Sequence, residues 1–338
     1  MIWFDTTKAG RATHHSGLLR VSRRLQAELG PAARATDGLA WTEKAQAGDW
    51  FLTAEVFAPD ERPGWAEMMA RRPCRLAAVF HDAIPLRLPQ ITWPQSVRRH
   101  PSYLKMLAGF DRIWAVSETS RRDLTGYWRW LGLEQVPPVE LLPLGADFDA
   151  YQRVTAPMRE VAPCLLCVGI LEPRKNQKVL LDTCEQLWSD GAEFELHLVG
   201  RVNPHFGRAL HRRVQQMQRQ WSGLHYHAAV SDAQVATLQA RARATVFPTI
   251  AEGCGLPVLE SLWRGVPCVC SDLPVLREIT AAGGCLPVPP DQPAAWRDAL
   301  HRVLTDDGER ERLAQEAMTR SLPTWRECAE VLRRGLAA

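Results

Sequence analysis

The chain has no apolar run that could cross a bilayer. Its longest stretches, such as CLLCVGIL at 164–171, fall far short of the roughly 18 residues a membrane helix needs. The opening MIWFDTTKAGR lacks the basic start and apolar segment of a secretory leader. A soluble protein is expected, either free in the cytoplasm or held peripherally on the inner face of the cytoplasmic membrane. Excess charge is also missing. A formal net charge of +3 over 338 residues implies no strong field for nucleic acid. There is no repeat of fixed short period and no low-complexity tract. Nine cysteines are present, but no second C-x-x-C or histidine pair stands at zinc spacing from Cys164 and Cys167. That C-x-x-C lies in an apolar run and reads as part of a buried strand rather than a metal or redox centre. No Asp-x-Asp pair sits at an expected strand end.

What is present describes an ordinary globular chain. Hydrophobic residues make up 46% and charged residues 23%, so disorder is a poor reading. The length suits two α/β domains of about 150 residues each. Short apolar runs alternate with longer amphipathic segments. Strands are expected at 1–5, 75–81, 112–117, 139–144, 164–169, 194–199, 224–228, 244–248, 267–271 and 285–288. Helices are expected at 17–29, 94–109, 118–131, 176–189, 206–220, 231–242, 257–264, 273–281, 292–304 and 323–336. This order predicts parallel sheets covered by helices on both faces. Periodicity fades across 146–162, which suggests domains at 1–150 and 151–322. An amphipathic helix at 323–338, with Trp325, Cys328, Val331, Leu332 and Leu336 as its apolar face, would pack on the body or cross back to the first domain.

The sharpest local signal is FPTIAEGCGLPVLE at 247–260. A strand ends, a glycine-bearing loop follows, and a helix starts near Pro257, where proline suits the first turn. Gly253 and Gly255 permit close approach of backbone to a ligand, and with Leu256 they are expected to line the nucleotide-binding loop. A helix start favours an anion such as a diphosphate. Glu252 at the loop mouth and Glu260 one turn inside the helix can share a cleft at the carboxyl ends of the strands.

EGCGLPVLE resembles the E-x7-E signature of the retaining glycosyltransferases of family 4, which have the GT-B fold. The likeness continues through WRGVPCVCSDLPVLRE at 263–278 and includes GILEPRKNQKVLLD at 169–182, ELHLVGR at 195–201 and VSDAQVATLQARARATVFP at 230–248. The first half resembles the family more weakly, through SGLLRVSRRLQAEL at 16–29, FHDAIPLRLP at 80–89, FDRIWAVSETSRRDL at 110–124 and LLPLGADF at 141–148. Leu19 replaces the second glycine of the family's first loop.

The resemblance implies two Rossmann-like doubly wound domains facing across a cleft, with the nucleotide-sugar donor held by the second. Glu252 would lie beside the transferred sugar and Glu260 would accept from the ribose hydroxyls. Arg174 and Lys175 would neutralise the diphosphate, with Gly200 and Arg201 near the nucleotide and Gly17 shaping a loop beside it. His81 would approach the sugar or acceptor from the first domain. Asp82 is either a partner of the acceptor hydroxyl or a helix cap. The neighbouring His14 and His15 are not expected to be ligands. The implied reaction is retaining hexose transfer, with mannose or a related deoxyhexose favoured. It would run from a GDP- or UDP-linked donor to a glycan or lipid-linked glycan of a bacterial surface polysaccharide, such as the O-antigen of lipopolysaccharide, without a metal. A non-catalytic nucleotide-sugar binder and a sugar-nucleotide epimerase are the competing expectations. Clustered arginines at 20–24, 71–75 and 98–99 leave a membrane contact open, although basic residues barely outnumber acidic ones over residues 1–150 as a whole.

Overall fold

The computed structural model describes residues 1–12, 16–147, 152–156, 163–228 and 230–337. His14, His15 and much of the 146–162 stretch lie outside the described residues. The chain forms two compact units, Met1–Gly145 with Pro323–Ala338, and Ala146–Leu322.

The first unit holds strands β1 (Ile2–Asp5), β2 (Ala33–Thr36), β3 (Trp50–Thr53), β4 (Arg75–Phe80), β5 (Arg112–Ala115) and β6 (Val139–Leu141). They make a parallel sheet in the order β2-β1-β3-β4-β5-β6. The central strands are apolar because both their faces are covered: β3 and nearly all of β4 are buried. Aromatic side chains dominate the core. Trp41 stacks on Phe51 at 4.7 Å between ring centres, and Phe57 meets Trp65 edge-on at 4.8 Å. The final helix, Trp325–Ala337, buries Trp325, Cys328, Ala329, Leu332 and Leu336. Trp50 Nε1 donates to Leu336 O at 2.7 Å, which ties the helix end to β3. A Cβ at Gly335 would lie 2.5 Å from the Trp114 ring, so this contact requires glycine.

The second unit holds β7 (Cys164–Val168), β8 (Glu195–Val199), β9 (Leu224–His227), β10 (Ala244–Phe247), β11 (Cys268–Ser271) and β12 (Cys285–Val288). Its sheet is also parallel, in the order β12-β11-β10-β7-β8-β9. The order reverses between β7 and β10. At such a switch point neighbouring connections leave on opposite faces and open a crevice beyond the strand ends.

β2 and β3 were not expected from the sequence. β2 is an edge strand of four residues with its two central ones exposed, so no apolar run announces it. β3 is a four-residue run in a polar stretch, too short to distinguish from a loop. The helices Trp65–Arg71, Ile84–Arg87 and Asp307–Thr319 were also unforeseen. The last buries one arginine and two alanines, Arg310, Ala314 and Ala317, beside only two large apolar residues, Leu313 and Met318, and so shows a weak apolar stripe. Asp306 caps it by accepting from Glu309 N at 2.9 Å.

Candidate functional site

The loops that leave β7 and β10 meet at the switch point of the second unit. After β7 the chain runs through Gly169 to a short 3₁₀ turn, Pro173–Lys175. Asn176 then adopts the left-handed conformation, φ +49°, and starts the helix Gln177–Ser189. Asparagine is among the few side chains that tolerate this conformation. The turn aims Arg174 and Lys175 back at the loop after β10. There Ile250 N donates to Arg174 O at 2.9 Å and joins the loops through their backbones.

Glu252 is the centre of the cluster. Its Oε1 accepts from Lys175 Nζ at 2.7 Å, Arg174 NH1 at 2.9 Å and Thr249 Oγ1 at 2.6 Å. Arg174 also donates to Ala251 O at 2.9 Å and to Glu172 Oε1 at 3.0 Å. Glu172 is held in turn by Asn203 Nδ2 at 2.9 Å. The Lys175 ammonium lies 4.7 Å from the centre of the Phe247 ring. Burial pushes the Glu252 carboxyl up, but the charges of Arg174 and Lys175 and the hydrogen bonds more than reverse this and hold it at about 2. Burial pulls the Lys175 ammonium below its ordinary value, opposed by Glu252. At neutral pH Glu252 is therefore a fixed anion. It can accept hydrogen bonds or face a positive centre, but it has no proton to give.

The helix Leu256–Trp263 starts beside this cluster. Gly255 caps it with φ +104°, and a Cβ there would lie 2.6 Å from Leu276 Cδ2. Leu256 is half-buried against the apolar cluster of this region, and Gly253 in the loop is also half-buried. Glu260 is buried at 5% exposure and is not a surface helix residue. Gly200 has φ +150°, and a Cβ would fall 2.1 Å from Gly169 O, so glycine is required where these loops touch. Arg201 is exposed, and its backbone carbonyl accepts from Leu171 N at 2.9 Å. The thiol of Cys254, the loop's half-buried cysteine, is pushed up to about 12 by burial. It has no thiolate to offer as a nucleophile.

The first unit has its own crevice where its strand order reverses, between β1 and β3. Glu55 accepts from Lys8 N at 2.7 Å and Ala9 N at 2.8 Å, which pins the loop after β1. Arg62 bridges Glu55 and Asp5 at 2.9 and 2.7 Å. Burial, and after it the Asp5 charge, pushes the Glu55 carboxyl above its usual range. A cavity of about 640 Å³ adjoins this cluster, and Lys8, Leu18, Glu55, His81, Trp93 and Arg99 are among its lining residues.

His81 is buried, and its Nε2 lies 2.8 Å from Ala54 O. A carbonyl only accepts, so Nε2 carries the proton. Burial pulls the imidazole below its ordinary value, and the ring is neutral with Nδ1 as its acceptor. Asp82 Oδ1 accepts from Ile84 N at 2.9 Å, which is a capping bond. Gly17 is the first residue of the helix Gly17–Leu29, and a Cβ there would meet nothing within 4 Å. The protein's own packing does not require glycine at that position. It does at Gly10, where a Cβ would come within 2.9 Å of Thr6 O.

Residues 152–320 match the family described as Glycosyl transferases group 1. The chain belongs to that family. It is 32% identical over 271 residues to the O-antigen chain mannosyltransferase B of Escherichia coli, covering 75% of this chain and 68% of that protein. It is 31% identical over 216 residues to the serotype-specific mannosyltransferase WbdA of Escherichia coli. That match takes in 60% of this chain and 26% of WbdA, so the chain spans about a quarter of that relative's length. Among solved structures, Anabaena Alr3699/HepE in complex with UDP and glucose superposes with a TM-score of 0.75 over 99% of each chain at 14% identity. WaaG, a glycosyltransferase involved in lipopolysaccharide biosynthesis, gives 0.67 at 15% identity over 98% of this chain and 99% of its own. The fold is the GT-B fold implied by the signature at 252–260.

Within this glycosyltransferase group 1 chain, the structure unites the adjacent Arg174 and Lys175 with Glu252, which lies far from them in sequence. Reading the sequence missed three residues that hold them. Thr249 is fully buried and donates to Glu252. Glu172 and Asn203 orient Arg174 from behind. Thr249 and Glu172 stand inside the quoted motifs, where their polar character in otherwise apolar or glycine-rich loops was the available signal.

Proposed function

We propose that the chain is a retaining glycosyltransferase of bacterial surface polysaccharide synthesis. It transfers mannose or a related deoxyhexose from a nucleoside-diphosphate donor, GDP- or UDP-linked, to a glycan or lipid-linked glycan. One observation carries this reading: two cations converge on an ionised glutamate at the switch point of the second unit. The names of its mannosyltransferase relatives support the choice of sugar.

The chemistry follows from the charges. The bond between the anomeric carbon and the diphosphate oxygen breaks, and the leaving diphosphate takes the electron pair. Arg174 and Lys175 stabilise that growing negative charge. A bound diphosphate competes with Glu252 for these cations, which frees the Glu252 carboxylate to face the positive anomeric carbon. The acceptor hydroxyl bonds to the same face of the sugar, and its proton passes to the leaving phosphate. Glu260 accepts from the ribose. The two cations provide counter-charge that a divalent ion would otherwise supply, which supports donor binding without a metal. In the first unit, the cavity beside His81, lined by apolar residues together with both acidic and basic ones, suits a glycan acceptor. Exposed Leu18 and Trp93 at its lining favour a lipid-linked one at a membrane surface. Among the described residues, no helix is long and apolar enough to cross a membrane.

The test is a thermal-shift screen of GDP, UDP, ADP and dTDP with and without Mg2+, followed by transfer from the matching sugar donor. A nucleotide at 100 times its Kd stabilises the bound unit by about 2.7 kcal/mol. A shift selective for GDP or UDP and indifferent to Mg2+, with turnover of the matching donor, is expected. No shift with any nucleotide, or binding without transfer to any glycan acceptor, overturns the reading.

A further inference from the structure

The second unit carries another cluster of ligating side chains, at the opposite ends of the strands from Glu252. Cys164 and Glu195 are the first residues of β7 and β8 and pair directly across the sheet. His197, two residues on, shares a face with Glu195 and pairs with His225 of β9. One ligand atom from each of Cys164, Glu195 and His197 lies within 4.8 Å of the others. His197 Nε2 is 3.0 Å from Glu195 Oε2, the separation of two ligands sharing one small cation with bonds of about 2.0–2.2 Å. His225 Nε2 lies 3.9 Å from Glu195 Oε1, and its ring stacks on His197 at 4.7 Å. On the other side of His197, Nδ1 is 3.0 Å from His227 Nε2. A ligating histidine usually has its second nitrogen fixed in this way.

We infer that Cys164, Glu195, His197 and His225 form a structural site for a Zn2+-class divalent transition-metal ion. One thiolate, two imidazoles and one carboxylate make a four-coordinate set suited to zinc. Binding releases the thiol proton of Cys164 to solvent; the His197 proton moves from Nε2 to Nδ1, where His227 Nε2 accepts its hydrogen bond, so that a neutral imidazole ligates through Nε2. Cys164 Sγ moves inward to complete the shell. Arg241, 3.7 Å from Glu195 Oε2 and exposed, turns outward. The ion clamps the first residues of β7 and β8 to β9, the edge strand of the sheet. It takes no part in donor chemistry.

The experiment uses the full chain, stripped with a chelator and titrated with Zn2+ and separately with Co2+. One equivalent should bind saturably. The Co2+ form should show intense tetrahedral visible bands and a thiolate charge-transfer band. Cys164→Ser should abolish the charge-transfer band, and His225→Gln should weaken binding at least about tenfold. Cys74→Ser, in the other unit, should change neither. His225 is partly exposed, so its variant keeps the test usable if Cys164→Ser fails to fold. Absence of saturable binding, or a Co2+ spectrum unchanged by Cys164→Ser, overturns the site and leaves a hydrogen-bonded histidine stack. Nucleotide-induced thermal shifts are read on the same samples, so failure here is distinct from failure of the donor site.

Discussion

Replacing Glu252 by glutamine should destabilise the second unit by an amount the structure fixes. The substitution keeps the shape and one acceptor oxygen but removes the charge that Arg174 and Lys175 share. The carboxyl moves from 4.5 to about 2 on folding. At 1.36 kcal/mol per unit, that difference of about 2.5 units is worth about 3 kcal/mol. This is an upper bound, because Lys175 can release its proton once its counter-charge is gone. The sign follows from linkage. A carboxylate with a depressed folded pKa contributes fully above 4.5, and the contribution is lost as pH falls towards 2. The variant lacks this titration, so its stability should converge with that of the native chain across this window. Hydrogen exchange of peptides covering β10 isolates the second unit from the first. Near neutrality, protection should fall by about a hundredfold; at about pH 3.5 the gap should be clearly smaller. A variant as stable as the native chain near neutrality, or a gap that does not narrow with acid, would refute the electrostatic account.

Two further outcomes are expected. Lys175→Ala should weaken binding of the nucleoside diphosphate by about 10–100-fold while the free nucleoside is nearly unaffected, since one charge-assisted bond is worth about 1.5–3 kcal/mol; calorimetry of both ligands checks this, and an unchanged ratio removes the phosphate role. Gly255→Ala should cost the second unit about 2–4 kcal/mol, because alanine combines φ +104° with a contact 2.6 Å from Leu276 Cδ2. A melting temperature within a degree of the native one would show that the loop relaxes freely.

The family membership and the parallel α/β architecture were legible because they rest on local patterns. Buried strands such as β7 and β10 are continuous apolar runs, and the loop at 248–255 carries its glycines in order. β2 and β3 were not legible, because a four-residue strand gains its stability from neighbours rather than from its own pattern. The same limit applied at the sites. The sequence nominated Arg174, Lys175 and Glu252 separately. Only the strand order, with β7 beside β10, brings both cations onto one carboxylate oxygen and keeps it ionised while buried. Thr249 and Glu172 acquire their roles from that convergence alone. Cys164 shows the limit most plainly. No zinc spacing surrounds it in sequence, yet parallel pairing sets it beside Glu195 and close to His197. Sequence by itself determined the apolar strands and the longer amphipathic helices and nominated the loops of the candidate site, since backbone conformation and apolar periodicity are local. Tertiary structure decided which charges meet, since Coulomb energy and ligand geometry depend on distances that the chain order does not contain.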